Sequence, residues 1–75
     1  MLNKLDLRGT PCPVNFVRCR LALEQLKYNQ TLEVDLDKGE PEEMVTLGLE
    51  KEGHNIQKIL EETTWVRLII THNES

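Results

Sequence analysis

Aromatic residues are scarce in this chain, which has one Trp, one Tyr and one Phe among its 75 residues. Single-stranded nucleic acid is gripped by stacking bases on several such rings, so that mode of binding is excluded. Positive charge is also short. Nine Lys and Arg against thirteen Asp and Glu leave a net charge of −4, a poor match to a phosphate backbone. Long apolar runs are missing, and Leu68-Ile69-Ile70 is far too short to span a bilayer. Met1-Leu2-Asn3-Lys4 runs straight into ordinary sequence, so no secretory leader is expected. Cysteine is limited to Cys12 and Cys19. On one helix, residues seven apart lie about 10 Å from each other, beyond disulfide reach. A reduced, cytoplasmic protein with no membrane and no direct nucleic-acid partner is expected.

What remains suits one small domain over residues 1–75. A chain of this size buries only about 60% of its unfolded surface. Its 39% hydrophobic content still supports a core of Leu, Ile and Val. No repeat, linker or low-complexity tract interrupts it. Leu5 and Leu7 alternate with Lys4, Asp6 and Arg8, a strand pattern broken by Gly9-Thr10-Pro11. A helix follows from Pro13 to about Tyr28. Leu32, Val34 and Leu36 then alternate with Glu33, Asp35 and Asp37 in a second strand. Lys38-Gly39-Glu40-Pro41 opens a second helix that carries Glu42 and Glu43 in its first turn and stops near Gly53. Ile56–Glu62 and Trp65–Thr71 read as two strands joined at Thr63-Thr64. The expected fold is a two-layer α/β (α+β) sandwich in the order β-α-β-α-β-β. Its four-stranded mixed sheet has a parallel first pair, an antiparallel final hairpin and both helices on one face.

The chemistry concentrates at Thr10-Pro11-Cys12-Pro13. Proline suits the first helical position, because that amide has no partner within the helix. Cys12 is then expected at the N-cap. A neutral thiol caps poorly, but a thiolate is favoured there by free amide hydrogens and the positive end of the helix dipole. The thiolate is the nucleophilic form. The flanking prolines stiffen the turn, and Arg8, four residues upstream, is a candidate source of further positive potential. The plain alternative is a partly buried structural cysteine.

Other chemistries lack parts. There is no Cys-x-x-Cys pair for a dithiol cycle. A cysteine hydrolase needs a histidine base held by a third group, and neither His54 nor His72 carries a local signature for that. The two cysteines and two histidines match no zinc spacing, so no metal and no organic cofactor are expected. Cys19 shares a helix face with Phe16, Leu23 and Leu26, and is expected in the core. Val14, Val17 and Leu21 lie nearly opposite. They pack against the other helix or form a docking surface for partners. Trp65 is expected to cover the sheet edge or the core, and the Glu40, Glu42, Glu43 cluster to be a solvated helix start. A single activated sulfur with neither base nor resolving thiol can still accept a sulfane sulfur, hold it as a persulfide and pass it on.

The chain resembles the TusA/SirA-like family of small sulfur carriers. The likeness rests on Leu5-Asp6-Leu7-Arg8-Gly9, Cys12-Pro13 at the helix start, Asp35-Leu36-Asp37 and Glu52-Gly53-His54, in the family's order and spacing. It implies the same two-layer sandwich and a persulfide on Cys12, supported by Pro13. The family's Cys-Pro-x-Pro motif departs here at its last position, where Asn15 stands. Asn15 is expected to be solvated, the alternative being contact with the bound sulfur or a partner. The resemblance implies a cysteine desulfurase or rhodanese-like sulfur donor. It also implies a downstream acceptor protein serving tRNA thiolation, cofactor assembly or sulfur metabolism. Two further readings stand beside it: a non-catalytic interaction module with Cys12 incidental, and a thiol redox sensor at Cys12.

Overall fold

The computed structural model describes residues 3–11, 13–26 and 30–71. Its elements are β1 (Asn3–Asp6), α1 (Val14–Glu24), β2 (Thr31–Asp37), α2 (Glu40–Lys51), β3 (Asn55–Glu61) and β4 (Trp65–Thr71). They form one four-stranded sheet in the order β1-β2-β4-β3. β1 runs parallel to β2, and β4 is antiparallel to both β2 and β3. The expected order, pairing directions and layers are all present.

Period-two alternation decides what each face of the sheet carries. Leu32, Val34 and Leu36 of β2 and Val66, Leu68 and Ile70 of β4 point to one face, where they meet Cys19 and Leu23 of α1 and Val45 and Leu49 of α2. Both helices therefore cover the same face, and burial of these aliphatic side chains is the main force holding the layers together. The other face carries no helix. There Arg67 of β4 reaches Asp35 of β2 through two hydrogen bonds of 2.8 and 3.1 Å, and Glu33 lies 3.5 Å from the same guanidinium. Both carboxylates are largely buried. Pairing with Arg67 is what makes their burial tolerable on an otherwise open surface.

Local signals explain most element ends. Gly53, at φ 91°, terminates α2. Its amide donates to the Glu50 carbonyl and the His54 amide donates to Leu49, the paired closure that a left-handed residue permits at a helix end. Gly39, at φ 90°, takes the cap position before Glu40, with Pro41 in the first turn. α1 is shorter than expected. It ends at Glu24, and the amides of Gln25 and Leu26 turn back to the Ala22 and Leu23 carbonyls in a tighter three-residue closure. The expected end at Tyr28 lies outside the described residues. Trp65 lies on β4, an interior strand, and so does not cover an edge. No helix among the described residues is long and apolar enough to cross a membrane.

Candidate functional site

The loop from β1 to α1 is held at the parallel end of the sheet. The Leu7 amide donates to Asp35, the Thr10 amide closes a turn onto Leu7, and the Gly9 amide donates to Asp37 Oδ2 at 2.8 Å. Gly9 sits at φ 78°, a conformation that costs a larger residue dearly. This anchoring fixes the path of the chain as far as the Gly9-Thr10-Pro11 approach to α1. Cys12 itself lies outside the described residues, and its expected N-cap geometry with it.

Around that position the structure revises several expectations. Pro13 occupies the cap position of α1, and Val14 is the first helical residue. The amides of Asn15, Phe16 and Val17 are each engaged. They donate to the Pro11 carbonyl (3.1 Å), Asn15 Oδ1 (2.7 Å) and the Pro13 carbonyl (3.1 Å). These three donors are therefore not waiting for a sulfur, and what this terminus offers an anion through them is the helix dipole. No acidic side chain occupies the first turn of α1 to offset it.

Asn15 is fully buried. The expectation of a solvated side chain is corrected. At positions i, i+4 and i+8, Asn15, Cys19 and Leu23 form the fully buried stripe of α1, with Phe16 and Ala22 packed against the core beside it. Its side-chain oxygen accepts the Phe16 amide, so its carbonyl dipole is satisfied inside the fold. The same stripe spacing was the sequence signal for its burial.

Phe16 packs against the margin of the core, as expected, and its ring leans over α2. A Cβ built on Gly48 would lie 2.5 Å from Phe16 Cε1, so the ring occupies the space that only glycine leaves open. Arg20 continues this seam by pairing with Glu52 at 3.2 Å. Helix-to-helix contact thus runs through Phe16 and Arg20, and the inter-helix reading of Val14, Val17 and Leu21 is corrected. Those three are 47%, 47% and 53% exposed on the outer side of α1. Pro13, Asn15, Phe16, Met44 and Gly48 together line an almost wholly apolar cleft of about 150 Å³ between the two helices. Met44 and Gly48 were not read as site residues. Their four-residue spacing on one helix face was the available signal, but it gains meaning only once Phe16 is seen to lie across it.

Arg8 goes elsewhere. Its guanidinium forms two 2.9 Å hydrogen bonds with Asp6 and lies 4.7 Å from the Trp65 ring centroid, toward the uncovered face. Side-chain hydrogen bonding to Arg8 holds the Asp6 carboxyl at about 2 and raises the guanidinium above its usual value. A charge so closely paired adds little free positive potential at the start of α1. Arg67 approaches the same ring at 5.2 Å, so Trp65 serves as a platform for two cations.

Cys19 is the contrast to any reactive thiol. It is completely buried, and desolvation pushes its pKa up to about 12. It is a packing residue, as expected. His54 sits half-buried after α2, held by its backbone, and His72 lies outside the described residues.

Comparison with known proteins agrees with this architecture. The family model for sulfurtransferase TusA matches residues 3–72. A protein of Archaeoglobus fulgidus described as a putative sulfur carrier protein is 34% identical over 67 residues, covering 87% of this chain and 76% of that one. A second, from Thermotoga maritima and described in the same words, is 37% identical over 57 residues, covering 76% of this chain and 72% of its own. The crystal structure of a SirA-like protein from Desulfitobacterium hafniense superposes with a TM-score of 0.80 over 99% of this chain and 100% of that one. At 20% identity it shares the fold.

Proposed function

The chain belongs to the sulfurtransferase TusA family, and on that footing we propose that it is a sulfur carrier with Cys12 as the persulfide site. In the loading step the Cys12 thiolate attacks the outer sulfur of a donor persulfide. A new S–S bond forms on Cys12 as the donor's S–S bond breaks, and the donor cysteine leaves as a thiolate. In delivery an acceptor nucleophile attacks the terminal sulfur of Cys12, and Cys12 leaves as the thiolate it began as. No net oxidant is needed, because the sulfane sulfur carries its oxidation state with it.

The observation that carries the reading is the start of α1. A cysteine and a proline precede a helix whose first turn holds no carboxylate, so the positive dipole end has no built-in anion. Pro13 fixes the backbone there, and buried Asn15 holds the Phe16 amide. The donor, of the cysteine desulfurase or rhodanese type, and the acceptor dock on the exposed Val14, Val17 and Leu21 stripe, one side of the helix that Cys12 precedes. Residues 1–75 act as a single carrier domain, with Arg8 bracing the loop rather than the sulfur.

Incubation with a cysteine desulfurase and cysteine, followed by intact-mass measurement, tests the proposal. A gain of one sulfur that disappears in Cys12→Ser is expected. Absence of that gain with every competent donor contradicts it. Val17→Asp is expected to slow loading at least several-fold while leaving the fold intact; unchanged loading rules out the stripe as the docking surface.

A further inference from the structure

The outer strands of the sheet, β1 and β3, are finished differently. β3 breaks register between Lys58 and Leu60, and Lys58 is tied to Glu42 at 2.8 Å and to Glu61 at 3.1 Å. A bulge and an edge lysine are devices that keep another strand from adding to a sheet. β1 has no such break. It keeps one parallel register against β2 from Asn3 to Asp6.

That register fixes where the β1 backbone points. The Leu7 amide donates to the Asp35 carbonyl, so Leu7 and, two residues earlier, Leu5 turn their backbone groups toward β2. Those of Lys4 and Asp6 point to the outer edge, where the strand order ends. The side chains alternate too. Lys4 and Asp6 lie on the uncovered face, with Glu33 3.5 Å from Lys4 and Arg8 2.9 Å from Asp6. Leu5 lies on the helix side, half-buried at the core margin with Ala22 and Leu26. All three line a shallow hollow of about 250 Å³ along β1.

Twofold pairing of this edge with itself opposes outward-pointing residues only when the axis falls at Lys4, Leu5 or Asp6. An axis at Lys4 or at Asp6 sets like charges directly opposite, which is destabilising. An axis at Leu5 sets Lys4 opposite Asp6 on both sides, and opposed residues share a face. Lys4 can turn to this contact without stranding Glu33, because Arg67 also lies 3.5 Å from that carboxylate. A carboxylate accepts about four hydrogen bonds, and Arg8 occupies three of those sites on Asp6.

We infer that two copies of this chain join through β1, antiparallel about an axis at Leu5, making one continuous sheet. Each Lys4 exchanges backbone hydrogen bonds with Asp6 of the second copy and pairs with its carboxylate. The two Leu5 side chains meet beside the hollow. The antiparallel joint sends the two loops that lead to α1 to opposite ends. It uses neither Cys12 nor the Val14, Val17 and Leu21 stripe, so its failure leaves the carrier reading untouched.

Sedimentation equilibrium on the full chain tests this. A joint of one short strand falls in the weak class, under about 1,200 Å² of buried surface, and a dimer dissociation constant of about 0.1–1 mM is expected. Lys4→Glu and Asp6→Lys, both at exposed positions, are each expected to weaken dimerisation about tenfold. Mixing the two variants puts opposite charges at both contacts, so the mixture is expected to dimerise about as well as the unaltered chain. Such recovery cannot come from unfolded variants. Leu5→Cys in a Cys12→Ser chain locates the axis. Residues opposed at such a pair stand about 4.5 Å apart between Cα atoms, within disulfide reach. In a glutathione buffer, oxidised glutathione takes up the two thiol hydrogens as the cross-link forms. Lys4→Cys, out of step across the axis, is expected to cross-link about tenfold less. A monomer throughout, a dimer insensitive to Lys4→Glu, a loss that mixing does not recover, or stronger cross-linking at Lys4→Cys each overturns the inference.

Discussion

The two helices of this molecule begin in opposite ways. α2 opens on Gly39 and has Glu40, Glu42 and Glu43 in its first turn, with Pro41 among them. Its positive dipole end is neutralised by its own side chains, and one of them, Glu42, also ties β3 through Lys58. α1 follows Pro13 and has no acid in its first turn and no base in its last. Its nearest charges are Arg18 and Arg20. The same backbone dipole is satisfied locally in α2 and left uncompensated in α1, directly after a cysteine. A helix start that forgoes about 0.3–1 kcal/mol per missing carboxylate has kept its electrostatic capacity for an anion supplied otherwise.

The largest effect expected from disturbing this comparison comes from the seam that joins the two helices. Gly48→Ala would gain stability at an open helical position. Here the new methyl meets Phe16, and a net loss of about 1–3 kcal/mol is expected in urea unfolding. A gain would show that Phe16 moves aside freely and that the cleft is not built around glycine. Next is Asn15→Ala, which leaves the Phe16 amide without its acceptor inside the fold. A loss of about 1–2 kcal/mol is expected by the same measurement.

A smaller effect separates stability from reactivity. Val14→Glu gives α1 the carboxylate that α2 has. The protein is expected to gain about 0.3–1 kcal/mol, while alkylation of Cys12 at neutral pH slows several-fold. Glu40→Gln with Glu43→Gln should do the reverse to α2, losing stability and leaving the Cys12 rate unchanged. If Val14→Glu leaves that rate unchanged, the two helix starts are electrostatically equivalent toward sulfur.

The smallest effects are pH responses away from the site. Asp6 is held near 2 in the fold against 3.8 as a free group. The unfolded chain therefore binds the proton first on acidification. The stabilisation is present above about 3.8 and is lost as pH falls toward 2. Asp6 is exposed, so a modest flattening of the acid limb is expected in Asp6→Asn melting curves. Cys19 behaves oppositely. Its folded pKa is raised to about 12, so its contribution is intact below the free-thiol value of 9.0 and fades as pH climbs from there toward 12. Cys19→Ala is expected to remove that alkaline component.

Much of this was legible in the chain. Alternation in β2 and β4 gave the layers, because one face had to be apolar and a one-residue slip would have buried Glu33 and Asp35 under the helices. Proline and glycine marked α2, since both act through backbone geometry that is local. Asn15 was misread because its polarity outweighed its place on the Cys19–Leu23 stripe. Arg8 was misread because its partners, Asp6 and Trp65, are two and fifty-seven residues away, and the second is brought close only by sheet pairing. The Phe16–Gly48 seam could not be read at all. It depends on two helices meeting at one height, which no local pattern encodes.

The central claim is that the start of α1 favours an anionic sulfur. Its most direct test is the rate of Cys12 alkylation against pH, with the modified residue located by mass spectrometry so that Cys19 does not contribute. The account predicts a Cys12 midpoint below the free-cysteine value of about 8.5. A midpoint at or above that value would contradict it.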